Sequence, residues 1–260
     1  LGPAARLPLH QAQPAAAEGL EVRVVAGEQP VDTVAVHLDF DPAALEVVGP
    51  DGRPAATLRM NARDHGIVLR HGDGPDQCDI LGARDVWVFE DNGTYYMHYD
   101  AAGPRGWLCS LAVSTDLVTW EKKGPILDFG KPGEDDAKSA SYGVTYHDGN
   151  QWHMFYLGTP NVSPPPNLVP SFPYLTMKAK AAGPAGPWIK QKDVVPFRTK
   201  ANTYYSITAS PGQVIKHEEE YLQFFSATTR KPGNPCVQRS LGIARTKELD
   251  GPWNASRPQR

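Results

Sequence analysis

The stretch ARDVWVFEDNGTYYMHYDA, residues 83–101, decides the fold. An apolar run with Val86, Trp87, Val88 and Phe89 leads into the turn EDNG, and a second run carries Tyr95, Tyr96, Met97 and Tyr99. Two apolar runs around an Asn-Gly pair predict a β-hairpin, because Asn and Gly reach the left-handed backbone of a tight turn most easily. The pattern returns in SASYGVTYHDGNQWHMFYLG (139–158) and in TASPGQVIKHEEEYLQFFSA (208–227). Further strand-like sequence follows each hairpin and ends at a tryptophan: Trp120 in DLVTWEKKG, Trp188 in GPAGPWIKQ and Trp253 in LDGPWN.

A recurring four-stranded sheet with an aromatic closer predicts an all-β fold of the β-propeller type, in which neighbouring blades bury one another's faces around an axis. Blades are expected at about 79–127, 133–192 and 203–255, with residues 79–260 forming an incomplete propeller. The chain stops at Arg260 directly after the third closer, so it is expected to be a fragment that is inactive by itself. Ahead of the propeller, residues 20–48 alternate apolar and polar positions around a GEQP turn, the period-2 pattern of half-buried strands. Residues 20–78 therefore read as a short β segment and connector, and the Ala/Pro-rich residues 1–19 as a linker.

Composition agrees. The 260 residues include 24 glycines and 25 prolines, which suits a turn-rich β protein and excludes a helix bundle. A net charge of −3 without a basic stripe argues against nucleic acid or an anionic membrane as partner, and no apolar run is long enough for a membrane-spanning helix. Cys78, Cys109 and Cys236 lie far apart with no CxxC, so neither a disulfide framework nor a bound metal is expected.

Residues 79–127 resemble the first blade of five-bladed propeller glycosidases, the glycoside hydrolase family 43 group and its relatives in families 32, 117 and 130. The residues that carry the resemblance are Asp85 heading the innermost strand, Asn92-Gly93 before Tyr95-Tyr96, and the run Ala112 to Leu117 with Trp120. It extends through the later hairpins to IARTKELDGPW. A weaker resemblance, of VAVHLDFDPAALEVV (34–48), is to cohesin-like modules of secreted carbohydrate-active proteins. The first resemblance implies five blades, of which about three are present, and glycosidic-bond cleavage in plant or algal poly- or oligosaccharides with inversion and a pentose preference. It also implies a secreted or periplasmic location and a carbohydrate substrate, with other modules of a multi-domain protein as further partners. No cofactor is required, and a structural calcium ion in the channel is compatible with it.

The resemblance makes Asp85 the general base, its other reading being an Asp that satisfies a turn. Family 43 has a second Asp on the innermost strand of blade two, where direct alignment puts Ser141. Asp136 in GEDDA is the nearest candidate, or else part of a solvated acidic loop. The family's Glu at blade three is replaced by Ser210, and Glu218, Glu219 and Glu220 lie at the wrong end of the strand. Asp85, Ser141 and Ser210 are expected to occupy equivalent positions and converge on one axis. Arg84, Trp87, Trp107 and Tyr142 are candidate sugar contacts, with packing between blades as the other reading for Trp87 and Tyr142. Small residues in ASYG and TASPG suggest close backbone approach to a ligand, and the Pro-stiffened loop 162–173 is placed to wall the site. Two other classes remain open: a non-catalytic carbohydrate-binding or scaffolding module, and a glycoside phosphorylase.

Overall fold

A computed structural model describes residues 65–255, except 195, 197, 231, 232, 234 and 235. The expected linker and most of the segment 20–78 lie outside the described residues. The first four-stranded unit comprises β1 (Gly82–Asp91), β2 (Thr94–Gly103), β3 (Gly106–Ser114) and β4 (Glu121–Pro125). In the second, β5 (Ser139–His147) and β6 (Trp152–Thr159) are followed by a small two-stranded excursion, β7 (Asn161–Val162) and β8 (Pro170–Ser171). That unit is completed by β9 (Leu175–Ala181) and β10 (Ile189–Lys190). The third holds β11 (Thr208–His217), β12 (Glu220–Arg230), β13 (Val237–Thr246) and β14 (Asn254–Ala255). Each unit is an antiparallel meander in chain order. Among the described residues the helical content is a single 3-10 turn at Pro75–Gln77, and no helix is long and apolar enough to cross a membrane.

The turns form for the expected reasons. Asp91 pairs with Thr94, leaving Asn92 and Gly93 as the two turn residues with φ of 49° and 78°, as a twisted two-residue hairpin requires. Trp120, Trp188 and Trp253 each stand immediately before the outermost strand of their unit. Trp188 and Trp253 are buried, whereas Trp120 is half-buried.

The units join at one end. Trp107 and Leu108 at the start of β3 pair in parallel with Ser139 and Ala140 at the start of β5. Tyr174, just before β9, makes the corresponding parallel bridge to Thr208 at the start of β11. The sheets also stack through their faces. Leu108, Cys109 and Leu127 of unit one pack with Met154, Tyr156 and Trp188 of unit two. On the opposite face of unit two, Val144 and Phe155 pack with Ala209, Phe225 and Trp253 of unit three. All eight residues of β6 are buried, because alternate side chains feed the two clusters. Each large apolar side chain in such a core stabilises by about 1.5–3 kcal/mol.

Candidate active site

The same irregularity recurs in the innermost strand of every unit. In β1, Arg84 pairs with Asp100 and Trp87 with His98, so Asp85 and Val86 face Tyr99 alone. In β5, Tyr142 is the extra residue between the pairs Ser141 with Leu157 and Gly143 with Tyr156. In β11, Gly212 and Gln213 fall between the pairs Pro211 with Phe225 and Val214 with Gln223. A bulge of this kind bends the strand and re-aims the side chain that it frees. Asp85 takes φ of 50°, a backbone state Asp tolerates better than most residues, and its side chain is 53% exposed.

The β1 and β5 bulges meet at one cavity of about 750 Å³, lined by Asp85 from unit one, Tyr142 from unit two, and Ser210 and Arg239 from unit three, whose own bulge residues Gly212 and Gln213 are not part of the lining. Phe172 and Tyr174, at the end of the Pro-rich excursion, form another wall. Asp85 is the single acidic side chain among the described residues of this lining. Arg84 lies beside it, with Nε 3.2 Å from Asp85 Oδ2 and 3.8 Å from Asp100 Oδ2. The guanidinium stacks on Trp107, 4.2 Å from the ring centroid, and the Trp107 indole donates to the Asn167 carbonyl at 3.1 Å. Loop 162–173 is thereby tied to the site from two directions.

Several sequence expectations change here. Asp85 is level with Tyr142 rather than with Ser141, because both bulges begin after the residue before it. Ser141 is buried at 1% exposure and its hydroxyl is shared with Ser139 at 2.7 Å, so it faces the sheet and not the cavity. Ser210 does line the cavity. Trp87 packs against the cluster between units two and three and donates to Thr145 Oγ1 at 3.0 Å, which is the packing reading. Asp136 is buried away from the cavity lining, accepting from Tyr156 Oη at 2.8 Å and Lys190 Nζ at 2.6 Å. It neutralises the outer strand's lysine and does not support Asp85. The small residues in ASYG and TASPG serve the sheet: a Cβ on Gly212 would stand 2.2 Å from the Phe224 carbonyl oxygen, and one on Gly143 2.5 Å from Met154 Cγ. Glu218, Glu219 and Glu220 sit at the turn between β11 and β12, at the far end of β11 from Ser210.

Sequence reasoning put the loop that carries Phe172 at the site's wall, and missed Tyr174, Arg239 and Asp100. Asp100 is 2% exposed on β2, and its Oδ1 accepts the Tyr142 backbone N–H. Burial pushes its carboxyl up to about 8 from the ordinary 3.8, with the Tyr142 amide and Arg84 opposing that rise and the Asp85 charge adding to it. Burial lowers nearby His98 to about 4 from 6.5, against its contact with the Gly143 carbonyl.

These two groups make opposite demands on pH. Stability from Asp100 is complete below pH 3.8 and is lost as pH rises toward 8, since the unfolded chain releases a proton that the folded one keeps. Stability from the neutral His98 is complete above pH 6.5 and is lost as pH falls toward 4. The slopes oppose one another between 4 and 6.5, and above 6.5 only that of Asp100 persists. Asp100→Asn should therefore remove a decline of up to ~1.4 kcal/mol per pH unit from melting curves collected above the His98 window; an unchanged decline would contradict the placement of Asp100. No group of three or more His, Cys, Asp or Glu side chains able to hold a metal ion occurs among the described residues.

No family model matches the chain. A 1,2-β-oligomannan phosphorylase of Thermoanaerobacter sp. (strain X514) is 26% identical over 167 residues, a match covering 55% of this chain and 53% of that protein. The chain thus spans about half the length of the curated relative it matches. A family 117 glycoside hydrolase from the marine bacterium Zobellia galactanivorans superposes with a TM-score of 0.55 at 18% identity, covering 67% of this chain and 55% of the other. A glycosyl hydrolase from Bacteroides ovatus gives 0.53 at 13% identity, covering 68% and 52%. The fold is all-β and of the propeller type that these proteins share, and the chain resembles propeller-type glycosidases.

Proposed function

We propose that the chain belongs to a carbohydrate-active enzyme that cleaves glycosidic bonds at the Asp85 cavity, in the manner of family 43-like hydrolases. The observation that carries this reading is one cavity, reached by the β1 and β5 bulges and by side chains of all three units, that presents a single exposed carboxylate among aromatic walls. Tyr142, Tyr174 and Phe172 offer apolar faces for sugar rings, and Arg84 orients the Asp85 carboxylate toward the space between them. Asp85 would act as general base, taking a proton from the water whose oxygen bonds to the anomeric carbon as the bond to the leaving oxygen breaks, and the leaving oxygen would take its proton from a second carboxylic acid. In an inverting hydrolysis a second carboxylate ~6.5–9.5 Å away completes the acid and base pair around a water molecule.

The proposal includes a five-bladed propeller over residues 79–260 and sequence outside them. It also includes plant or algal poly- or oligosaccharides as substrates and a secreted or periplasmic location that suits them.

A second reading, phosphorolysis, is favoured by two observations: the oligomannan phosphorylase likeness, and Arg239 on the cavity wall without an ion-pair partner among the described residues. Inorganic phosphate would then attack the anomeric carbon in place of water while Asp85 protonates the leaving oxygen, so one carboxylate suffices. Arg84 and Arg239 would hold the phosphate, as arginine's fork of donors suits.

The natural full-length protein should be incubated with β-1,2-linked manno-oligosaccharides and with arabinan and xylan oligosaccharides, with and without inorganic phosphate. Free sugar released without phosphate is the expected result. Sugar 1-phosphate formed only with phosphate would transfer the assignment to the second reading. Binding without turnover under both conditions would support a carbohydrate-binding module and overturn both.

A further inference from the structure

Resting on the reading of Asp85 as the catalytic carboxylate, we infer that Asp100 is its positioning residue, holding the β1 and β5 bulges in register through Arg84 and the Tyr142 amide. Asp100 is a lone acid within a strand whose last seven residues are all buried, and the packing of that strand against unit two gives a carboxylate no apolar purpose. Each of its oxygens faces one of the two bulges: Oδ1 accepts from Tyr142 N–H, at the apex of the β5 bulge, and Oδ2 stands 3.8 Å from Arg84 Nε, at the edge of the β1 bulge. The same Arg84 nitrogen is 3.2 Å from Asp85 Oδ2. One guanidinium, clamped on Trp107, is therefore shared between an exposed carboxylate and a buried one.

The sharing sets a competition. While Asp100 keeps its proton, Arg84 belongs to Asp85 and the amide of Tyr142 is still satisfied by the carbonyl oxygen of the acid. When Asp100 loses the proton, a second anion draws the guanidinium back and Asp85 loses its orienting partner. The groups that face Asp100 are Arg84 and Asp85 on β1, Cys109 on β3, Tyr142 on β5, and more distantly Tyr174 before β9. Among these Arg84 is the single cation close to Asp100, so the competition has no other arbiter.

The test compares Asp100→Asn and Asp100→Leu with the unaltered full-length protein, by kcat and KM across pH 5 to 9 and by carbon-13 NMR of the aspartate carboxyls. In the unaltered protein kcat should fall as pH rises through about 8, and the Asp85 carboxyl signal should move at the same pH. Asp100→Asn keeps an acceptor for Tyr142 but has no proton to lose, so both effects should vanish. Asp100→Leu supplies neither contact, and kcat should fall at least ~10-fold at every pH while KM changes less than ~3-fold, the split expected for lost transition-state positioning. An alkaline fall unchanged in Asp100→Asn, or unaltered kcat in Asp100→Leu, would overturn the inference while leaving Asp85's role intact. If Asp85→Asn retains turnover, the catalytic reading fails instead, and the NMR titration still decides whether Asp100 and Asp85 compete for Arg84.

Discussion

Asp85→Asn in the full-length protein should reduce glycoside turnover by ~10²–10⁴, the contribution a positioned acid or base group makes. The substitution retains size and a hydrogen-bond acceptor for Arg84 but removes the ionisable oxygen. Asp85 is held by the bulge of β1 and not by the core: its side chain is half exposed, and among the described residues its ion-pair partner is the neighbouring Arg84. Melting temperature should therefore stay within a few degrees of the unaltered protein. An Asp that merely satisfied a turn would behave in the opposite way, losing stability and keeping turnover per folded molecule. Measuring both quantities on one sample separates the two.

Phe155→Ala should destabilise the fold by about 3–5 kcal/mol, through lost transfer energy and the cavity left behind. Phe155 is 0% exposed on β6, packs edge-on against Trp253 with centroids 5.5 Å apart, and joins the cluster that fastens unit two to unit three. Ile189 on β10 is 66% exposed, and Ile189→Ser should change stability by less than ~0.5 kcal/mol. Denaturant unfolding of both variants checks the stacking of the units. Equal effects would show that the face between units two and three is not the tight interface described.

The hairpins were legible in the sequence because strands buried on both faces, such as β6, read as apolar runs, and because Asn92-Gly93 and Gly149 mark their own turns. The closing tryptophans were legible for a related reason, each standing at a fixed place before an outer strand. What could not be read was the bulge. An inserted residue displaces the pairing by one, so an alignment by sequence sets Asp85 against Ser141, while the folded register sets it against Tyr142. Counting back across the Asn92-Gly93 turn would have put Asp100 opposite Asp85. The bulge moves it opposite Arg84, and its importance lies in that contact.

Asp136 misled for a different reason. Three adjacent acids suggest either a solvated loop or a site, and the deciding partner, Lys190, lies 54 residues further along the chain. Arg239 and Tyr174 carry no local pattern that separates them from other strand residues, and only the convergence of units two and three brings them to one cavity. The Pro-rich loop is the exception. Its proline-stiffened run 162–173 suggested a wall, and Phe172 within it and Tyr174 just after it form one.

The most direct test of the central claim is a crystal structure of Asp85→Asn with an oligosaccharide that the unaltered protein cleaves. The account predicts a water molecule within ~2.6–3.2 Å of the residue 85 side chain, the reach of a proton-transferring group, facing the anomeric carbon on the side opposite the glycosidic oxygen, with a sugar ring against Tyr142 or Tyr174. A sugar chain bound elsewhere, such as the separate groove lined by Phe129 and Trp188, with the Asp85 cavity empty, would contradict it.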